Sequence, residues 1–216
     1  LFDNYPSGGT PLCRHVREIA SQIQSYAPVL LSRGQRACVI IATDGESSDG
    51  DVAEALRPLK DLPCWVVVRL CTNEDRISDY WNSIDSQLEV QMDVLDDLQG
   101  EAREIQRVNP WLTYNGVLHR MREFGVSLKE FDSLDERLLS HEMLRKFCSS
   151  IYGKDSIDKL PLPEIDLQGF CDGLTQLNSQ PIFQVWSPLH KKIHPYVEPK
   201  RIARAYGKQG GCSIMQ

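Results

Sequence analysis

The stretch A-C-V-I-I-A-T-D-G, residues 37–45, decides the fold class of this chain. Its first seven residues form a short apolar run that stops abruptly at Asp44, and such a run is typical of a parallel β-strand covered on both faces. A second run of this kind extends from Cys64 to Leu70. Between the two runs, Asp51 to Lys60 has apolar residues at helical spacing, which predicts a strand, a helix and a second strand.

A long helix is predicted before the first strand. Thr10 is suited to be its N-cap and Pro11 to be its first residue, and Pro28 is expected to kink or shorten its last turns. The apolar face of this helix consists of Leu12, Val16, Ile19, Ile23, Tyr26 and Leu30.

The same alternation continues after the second strand. Asp75 to Ser86 predicts a helix, and Leu88 to Val94 alternates apolar and polar residues, as a strand at a sheet edge does. Helices that alternate with buried strands predict the α/β class, with a doubly wound, Rossmann-like parallel sheet.

Beyond residue 97 the chain is predicted to be mainly helical. Helices are expected at Asp97 to Arg107 and at Tyr114 to Phe124, and Ser133 has Glu136 at the spacing of a capping box. Lys154 to Pro163 is interpreted as a linker. The predicted ranges are an α/β domain at 1–108, a helical segment at 109–153, and a linker, a helix (Glu164 to Leu177) and a basic tail at 154–216.

Composition limits the classes of function. The 216 residues are 41% hydrophobic and 25% charged, which suits a folded domain with a core and excludes wholesale disorder. Because the chain has 24 basic and 30 acidic residues, its net charge is negative and nucleic-acid binding is disfavoured. Residues 190–208 carry six bases and one acid, so this end could touch an anionic membrane or an acidic partner, although a solvated tail is the expected state.

The seven cysteines indicate a reducing compartment, because an odd number without a CxxC pair fits a disulfide framework poorly. A cytoplasmic location is therefore predicted. Cys212 would begin a prenylation box if the chain ended at Met215, but Gln216 follows, so a plain tail is expected. The chain begins with Leu1 and not with Met, and its first residues are typical of the middle of a loop. The chain is therefore interpreted as a fragment.

Thr10 and Asp44 are the candidate site residues. Asp44 follows a buried strand, and ligands of open parallel sheets bind at the carboxyl ends of the strands. The helix that begins at Thr10 runs antiparallel to the strand, so its hydroxyl is expected at the same end. Oxygen ligands of this kind suit Mg²⁺. Each residue also has a plain structural interpretation, Thr10 as a helix cap and Asp44 as a turn residue. The supporting loop residues are Ser7, Gly8, Gly9 and Gly45, and the three before Thr10 would let the backbone approach the ion closely.

The segments P-S-G-G-T-P-L (residues 6–12) and V-I-I-A-T-D-G-E (residues 39–46), separated by a long helix, resemble the C-terminal part of a von Willebrand factor A domain. The resemblance implies a metal-ion-dependent adhesion site in which Thr10 and Asp44 are ligands of Mg²⁺ and the ion accepts an acidic group of a protein partner. It implies no enzymatic activity. The family's first strand, with its Asp-x-Ser-x-Ser motif, has no counterpart in the 216 residues, so the implied metal site is incomplete.

Two other functions remain open on the residues. A strand followed by Asp44 also fits a metal-dependent phosphohydrolase or phosphotransferase with an aspartyl nucleophile, although Glu46 and Ser48 do not match the Asp-x-Asp-x-Thr pattern of the haloacid dehalogenase type. A scaffold domain in which Thr10 and Asp44 bind nothing is the third. The acidic loop at residues 44–51 lacks the glycine and glutamate positions of an EF-hand and is interpreted as solvated.

Overall fold

The computed structural model describes residues 8–72, 74–126 and 128–207. These residues form two compact units. Unit 1 comprises residues up to 97 together with 121–126, and unit 2 comprises 98–120 and the residues after 126. This division differs from the predicted ranges 1–108, 109–153 and 154–216, since most of the last two belongs to one unit.

Unit 1 is an α/β unit built on a three-stranded parallel sheet in the order β1-β2-β3, which confirms the predicted class. The strands are β1 (Ala37–Thr43), β2 (Cys64–Leu70) and β3 (Met92–Leu95). The helices are α1 (Leu12–Ser32), α2 (Val52–Leu56) and α3 (Asp75–Gln87). A 3-10 turn at Arg57–Asp61 continues α2, because Pro58 has no N–H for a longer α-helix.

The three helices pack on one face of the sheet. Their buried residues form a single core with the strand residues that point the same way. In register, Val39 pairs with Val66, Ile41 with Val68 and Met92 with Val66, so these side chains share a face. Trp81 of α3 is completely buried in this core.

Segment 121–126 covers part of the opposite face. Here Trp65, Val67 and Leu95 form a second, smaller cluster. A Cβ added to Gly125 would lie 3.3 Å from the Trp65 ring, so this backbone passes close to the sheet. The charged residues on this face are paired, Arg122 with Asp93 at 2.9 Å and Arg69 with Glu123 at 2.8 Å.

The two predicted buried strands differ in burial. β2 has five consecutive buried residues, as predicted. In β1 only Val39, Ile41 and Thr43 are buried, whereas Ile40 is 47% exposed. The prediction that β1 is covered on both faces is therefore wrong. The physical reason is that the cluster on this face, beside segment 121–126, consists of Trp65, Val67 and Leu95, and Ile40 lies outside it.

Unit 2 is mainly helical and also contains a small antiparallel sheet. Its two strands, β4 (Gln184–Ser187) and β5 (Lys192–Pro195), form a hairpin. Its helices are α4 (Leu98–Val108), most of α5 (Gly116–Glu123), α6 (Lys129–Asp132), α7 (His141–Tyr152), α8 (Lys154–Ile157), α9 (Leu167–Leu177) and α10 (Pro199–Tyr206).

Three predictions for this region are wrong. The helix expected to start at Ser133 starts at His141, where the Ser140 hydroxyl accepts the N–H of Met143 at 3.2 Å. The predicted linker contains α8, and its carbonyls at Leu160 and Pro161 accept hydrogen bonds from Arg145. Up to residue 207, the predicted tail folds into β5 and α10.

Buried side chains explain why the basic end is folded. Val197 and Ile202 are 0% exposed and Tyr206 is 4% exposed. The Tyr206 hydroxyl donates to the Leu139 carbonyl at 2.7 Å, and burial raises the pKa of this phenol far above its usual range. Cys212 lies outside the described residues.

Because buried and exposed side chains alternate along β1, the same substitution at neighbouring positions should change the free energy of unfolding by different amounts. Ile41→Ala should lower the free energy of unfolding by about 2–4 kcal/mol, because it leaves a cavity in the core. Ile40→Ala should cost less than about 1 kcal/mol, because its side chain is half exposed. Urea unfolding followed by circular dichroism measures both, and equal costs would contradict the assigned faces.

The ion pair between Arg122 and Asp93 predicts a second difference in stability between two variants. Arg122→Met should destabilise unit 1 by about 3 kcal/mol, since the Arg122 side chain is 2% exposed and Asp93 would lose its bidentate partner. Arg76→Met is the control, because Arg76 pairs with Glu46 while its own side chain is 70% exposed, and it should cost less than about 1 kcal/mol. Thermal unfolding of both variants tests this, and a similar loss in the two would refute it.

Candidate functional site

Asp44 lies where the sequence places it, at the carboxyl end of β1. It is the first residue after the strand, it is exposed, and its carboxylate accepts no hydrogen bond from the described residues. The following Gly45 is held by two side chains: its N–H donates to the Thr43 hydroxyl at 3.2 Å, and its carbonyl accepts from the Trp81 indole at 3.2 Å. The turn that carries Asp44 is thus anchored to the core.

Thr10 is tied to the same loop through its backbone. Its carbonyl accepts the N–H of Ser48 at 2.9 Å, and the Ser47 hydroxyl approaches the same oxygen at 3.5 Å. The structure therefore joins the segment before α1 to the loop after β1. The Thr10 side chain is exposed.

The predicted helix cap is wrong. Pro11, and not Thr10, occupies the N-cap position of α1, and no side chain of either residue caps the helix. The Asp49 carboxylate does so from the other loop, accepting the N–H groups of Cys13 and Arg14 at 2.9 Å each. Pro28 also fails to end the helix early, because α1 continues through it to Ser32.

Asp49 is held in the ionised form. The Ser47 hydroxyl donates to it at 2.6 Å, and this bond, with those from the Arg14 and Cys13 backbones, holds the pKa of the Asp49 carboxyl well below its usual range. A carboxylate at a helix N-terminus also interacts favourably with the helix dipole. Asp49 therefore locks the loop after β1 onto α1.

The glycines before α1 serve this contact. Gly8 has φ +92°, a conformation that side chains rarely adopt. A Cβ on Gly9 would lie 2.4 Å from the Ser48 hydroxyl oxygen, so Gly9 permits the close approach of the two loops. The sequence predicted an approach of this backbone to an ion, whereas the described neighbour is Ser48. Ser7 lies outside the described residues.

The other acids of the loop have partners. Glu46 pairs with Arg76, and Asp51 caps α2 by accepting the N–H of Ala53 at 2.8 Å. Asp49 and Asp51 are exposed, as predicted for a solvated loop, and both also cap helices. Asp44 is therefore the acid of this loop whose carboxylate has no described partner.

As a metal site, the two loops provide few ligands. Thr10 and Asp44 would offer one hydroxyl and one carboxylate, whereas Mg²⁺ takes six oxygens in an octahedron and fills missing positions with water. Within residues 8–72, 74–126 and 128–207, no three side chains of His, Cys, Asp or Glu are close enough together to hold an ion. The chemistry of the pair fits part of a Mg²⁺ site.

Sequence reasoning missed the role of Asp49 as the cap of α1. Its partners Cys13 and Arg14 precede it by 36 and 35 positions, and no local spacing connects them. The serine and aspartate pattern after a strand offers only a general signal that its side chains can accept helix N–H groups.

The cap predicts a pH-dependent contribution to stability. Asp49→Asn should lower the melting temperature at neutral pH, because the ionised carboxylate binds two helix N–H groups. The pKa of Asp49 is lowered by folding, so its contribution is complete above the unfolded pKa of about 4 and is lost as the pH falls through the lower folded value.

Melting curves of the parent chain and Asp49→Asn between about pH 7 and pH 2 test this. The difference between the two should shrink below about pH 4. Asp79→Asn, at an exposed position of α3, should show no such difference at any pH. A constant gap for Asp49→Asn over the whole range would refute the assigned role.

Comparisons of the chain with protein-family models, with curated proteins and with solved structures find no match.

Proposed function

We propose that unit 1 is a von Willebrand A-like protein-binding module, built on a Rossmann-like parallel sheet and carrying part of a metal-ion-dependent adhesion site. Thr10 and Asp44 would bind Mg²⁺, and an open position of the ion would accept an acidic group of a protein partner. The observation that supports this most is the 2.9 Å hydrogen bond from Ser48 to the Thr10 carbonyl, which joins the two loops at the carboxyl end of β1.

The partners of the other acids favour Asp44 as the ligand. Glu46 is engaged by Arg76, and Asp49 and Asp51 are engaged by helix N-termini. A carboxylate already bound to N–H groups is a poorer metal ligand, because binding would break those bonds. Asp44 is exposed and has no described partner.

The phosphotransferase alternative has less support. Such an enzyme would need a second carboxylate near Asp44 to hold its metal, and the nearest acids in sequence are engaged elsewhere. No specific geometric feature favours Asp44 as a nucleophile. The proposal therefore assigns no enzymatic activity to the chain.

The proposed compartment is the cytoplasm. The six cysteines within the described residues are all free thiols, as a reducing environment would keep them. Burial raises the pKa of Cys171 to about 11 and that of Cys148 further, so these thiols stay protonated. Within the described part of the chain, no helix is long and apolar enough to span a membrane.

Paramagnetic Mn²⁺, a stand-in for Mg²⁺, tests the site on the 216-residue chain. In amide NMR spectra, Mn²⁺ should broaden the signals of Thr10, Asp44 and Gly45 first, with weak affinity because two residues supply few ligands. Asp44→Ala should remove this broadening, and Asp79→Ala should retain it, since Asp79 is an exposed aspartate on α3.

Equal broadening in the two variants, or none at these amides in the parent chain, would refute the proposal. A parallel assay with p-nitrophenyl phosphate and Mg²⁺ addresses the alternative. Turnover by the parent chain that disappears in Asp44→Ala would favour the enzyme and contradict the binding module.

A further inference from the structure

The β4–β5 hairpin exposes two large apolar side chains side by side. Trp186 pairs directly with Ile193 across the hairpin, so both side chains point to the same face. Trp186 is 54% exposed and Ile193 is 60% exposed. The apolar Ile182, just before β4, is exposed as well.

The exposure of Trp186 is exceptional for this chain. The other three tryptophans, Trp65, Trp81 and Trp111, are at most 8% exposed. An indole has a large apolar area and one polar N–H, which suits the boundary between water and an apolar phase. Trp186 is the one tryptophan of the chain in a position to enter such a boundary.

The same hairpin carries a local positive charge. Lys191 is exposed at its turn, and Lys192, the first residue of β5, is exposed on the face opposite to Ile193, because successive strand side chains alternate. Neither lysine has an ion-pair partner among the described residues, and residues 181–197 contain no acid. Lys191 has φ +54°, and it is the one non-glycine residue with a positive φ in the described part of the chain. A lysine therefore occupies a turn position that glycine or asparagine normally takes. This charge contrasts with the net charge of −6 of the whole chain.

We propose that the β4–β5 hairpin binds anionic lipid surfaces. Trp186 and Ile193 would enter the interfacial region of the bilayer, and Lys191 at the turn would contact the negative headgroups. Lys192 would add its charge from the other face of the hairpin. Apolar insertion and basic attraction together are the two contributions that hold peripheral segments on membranes. The hairpin belongs to unit 2, so this inference does not depend on the metal site proposed for unit 1.

Vesicles with brominated acyl chains test the proposal directly, since bromine quenches an indole that reaches the bilayer. With vesicles of phosphatidylcholine and about 30% phosphatidylserine, the parent chain should co-sediment and lose Trp186 emission. Pure phosphatidylcholine should give neither effect, and high salt should release the chain because the attraction is electrostatic.

Matched variants separate the two contributions. Ile193→Ser should lose most of the binding, whereas Ile165→Ser, at an isoleucine that is 78% exposed elsewhere in unit 2, should bind as the parent does. Lys191→Ser with Lys192→Ser should weaken binding by about tenfold or more. Lys159→Ser, at another exposed lysine, should have a much smaller effect.

Three outcomes would overturn the proposal. The first is no binding to anionic vesicles, which would include the case of an exposed patch that serves a protein partner. The second is binding without quenching of Trp186, which would place another surface on the lipid. The third is an equal loss of binding in Ile193→Ser and Ile165→Ser.

Discussion

The fold of unit 1 depends on the burial of β2 on both faces of the sheet. Five consecutive residues of this strand, 64–68, are buried, and alternate side chains of a strand point to opposite faces. Helices α1, α2 and α3 supply the cover on one face. On the other face, segment 121–126 returns to the sheet from beyond α4, and Arg122 enters with its guanidinium bonded to both oxygens of Asp93. The central strand thus requires a segment that is distant in sequence.

In the loop after β1, helix capping determines which acids are already engaged. Four acids lie within eight residues, at 44, 46, 49 and 51, and each could coordinate a cation by chemistry alone. Helix N–H groups take Asp49 and Asp51, and Arg76 takes Glu46. Asp44 is then the acid whose charge is left for another partner. The capping of α1 by Asp49 and the hydrogen bond from Ser48 to Thr10 also bring the two candidate loops together.

Local patterns predicted the elements of unit 1 well. The apolar runs at β1 and β2 and the periodic helix α3 appear where their spacing indicates, because each pattern reflects the side chains that the element buries. Prediction failed where the partner of a group is far away in the chain. The N-terminus of α1 is capped by Asp49 instead of Thr10. The N-cap of α7 is Ser140 and not Ser133, where the sequence has a capping-box spacing. The position of Asp44 at a strand end was predictable from the sequence, whereas the capping role of Asp49 depends on tertiary contact.

The sequence by itself determined the α/β class of unit 1, the order of its strands and helices, and the position of Asp44 after a buried strand, because hydrophobic periodicity is a local property. Tertiary structure alone decided which carboxylates are engaged, that Ile40 is exposed while Ile41 is buried, and that the basic C-terminal region folds into a hairpin and a helix. The physical reason is that burial and hydrogen-bond partners depend on neighbours brought together by folding. The pairing of Trp186 with Ile193 beside two lysines is such a neighbourhood, and it exists only once the hairpin has formed.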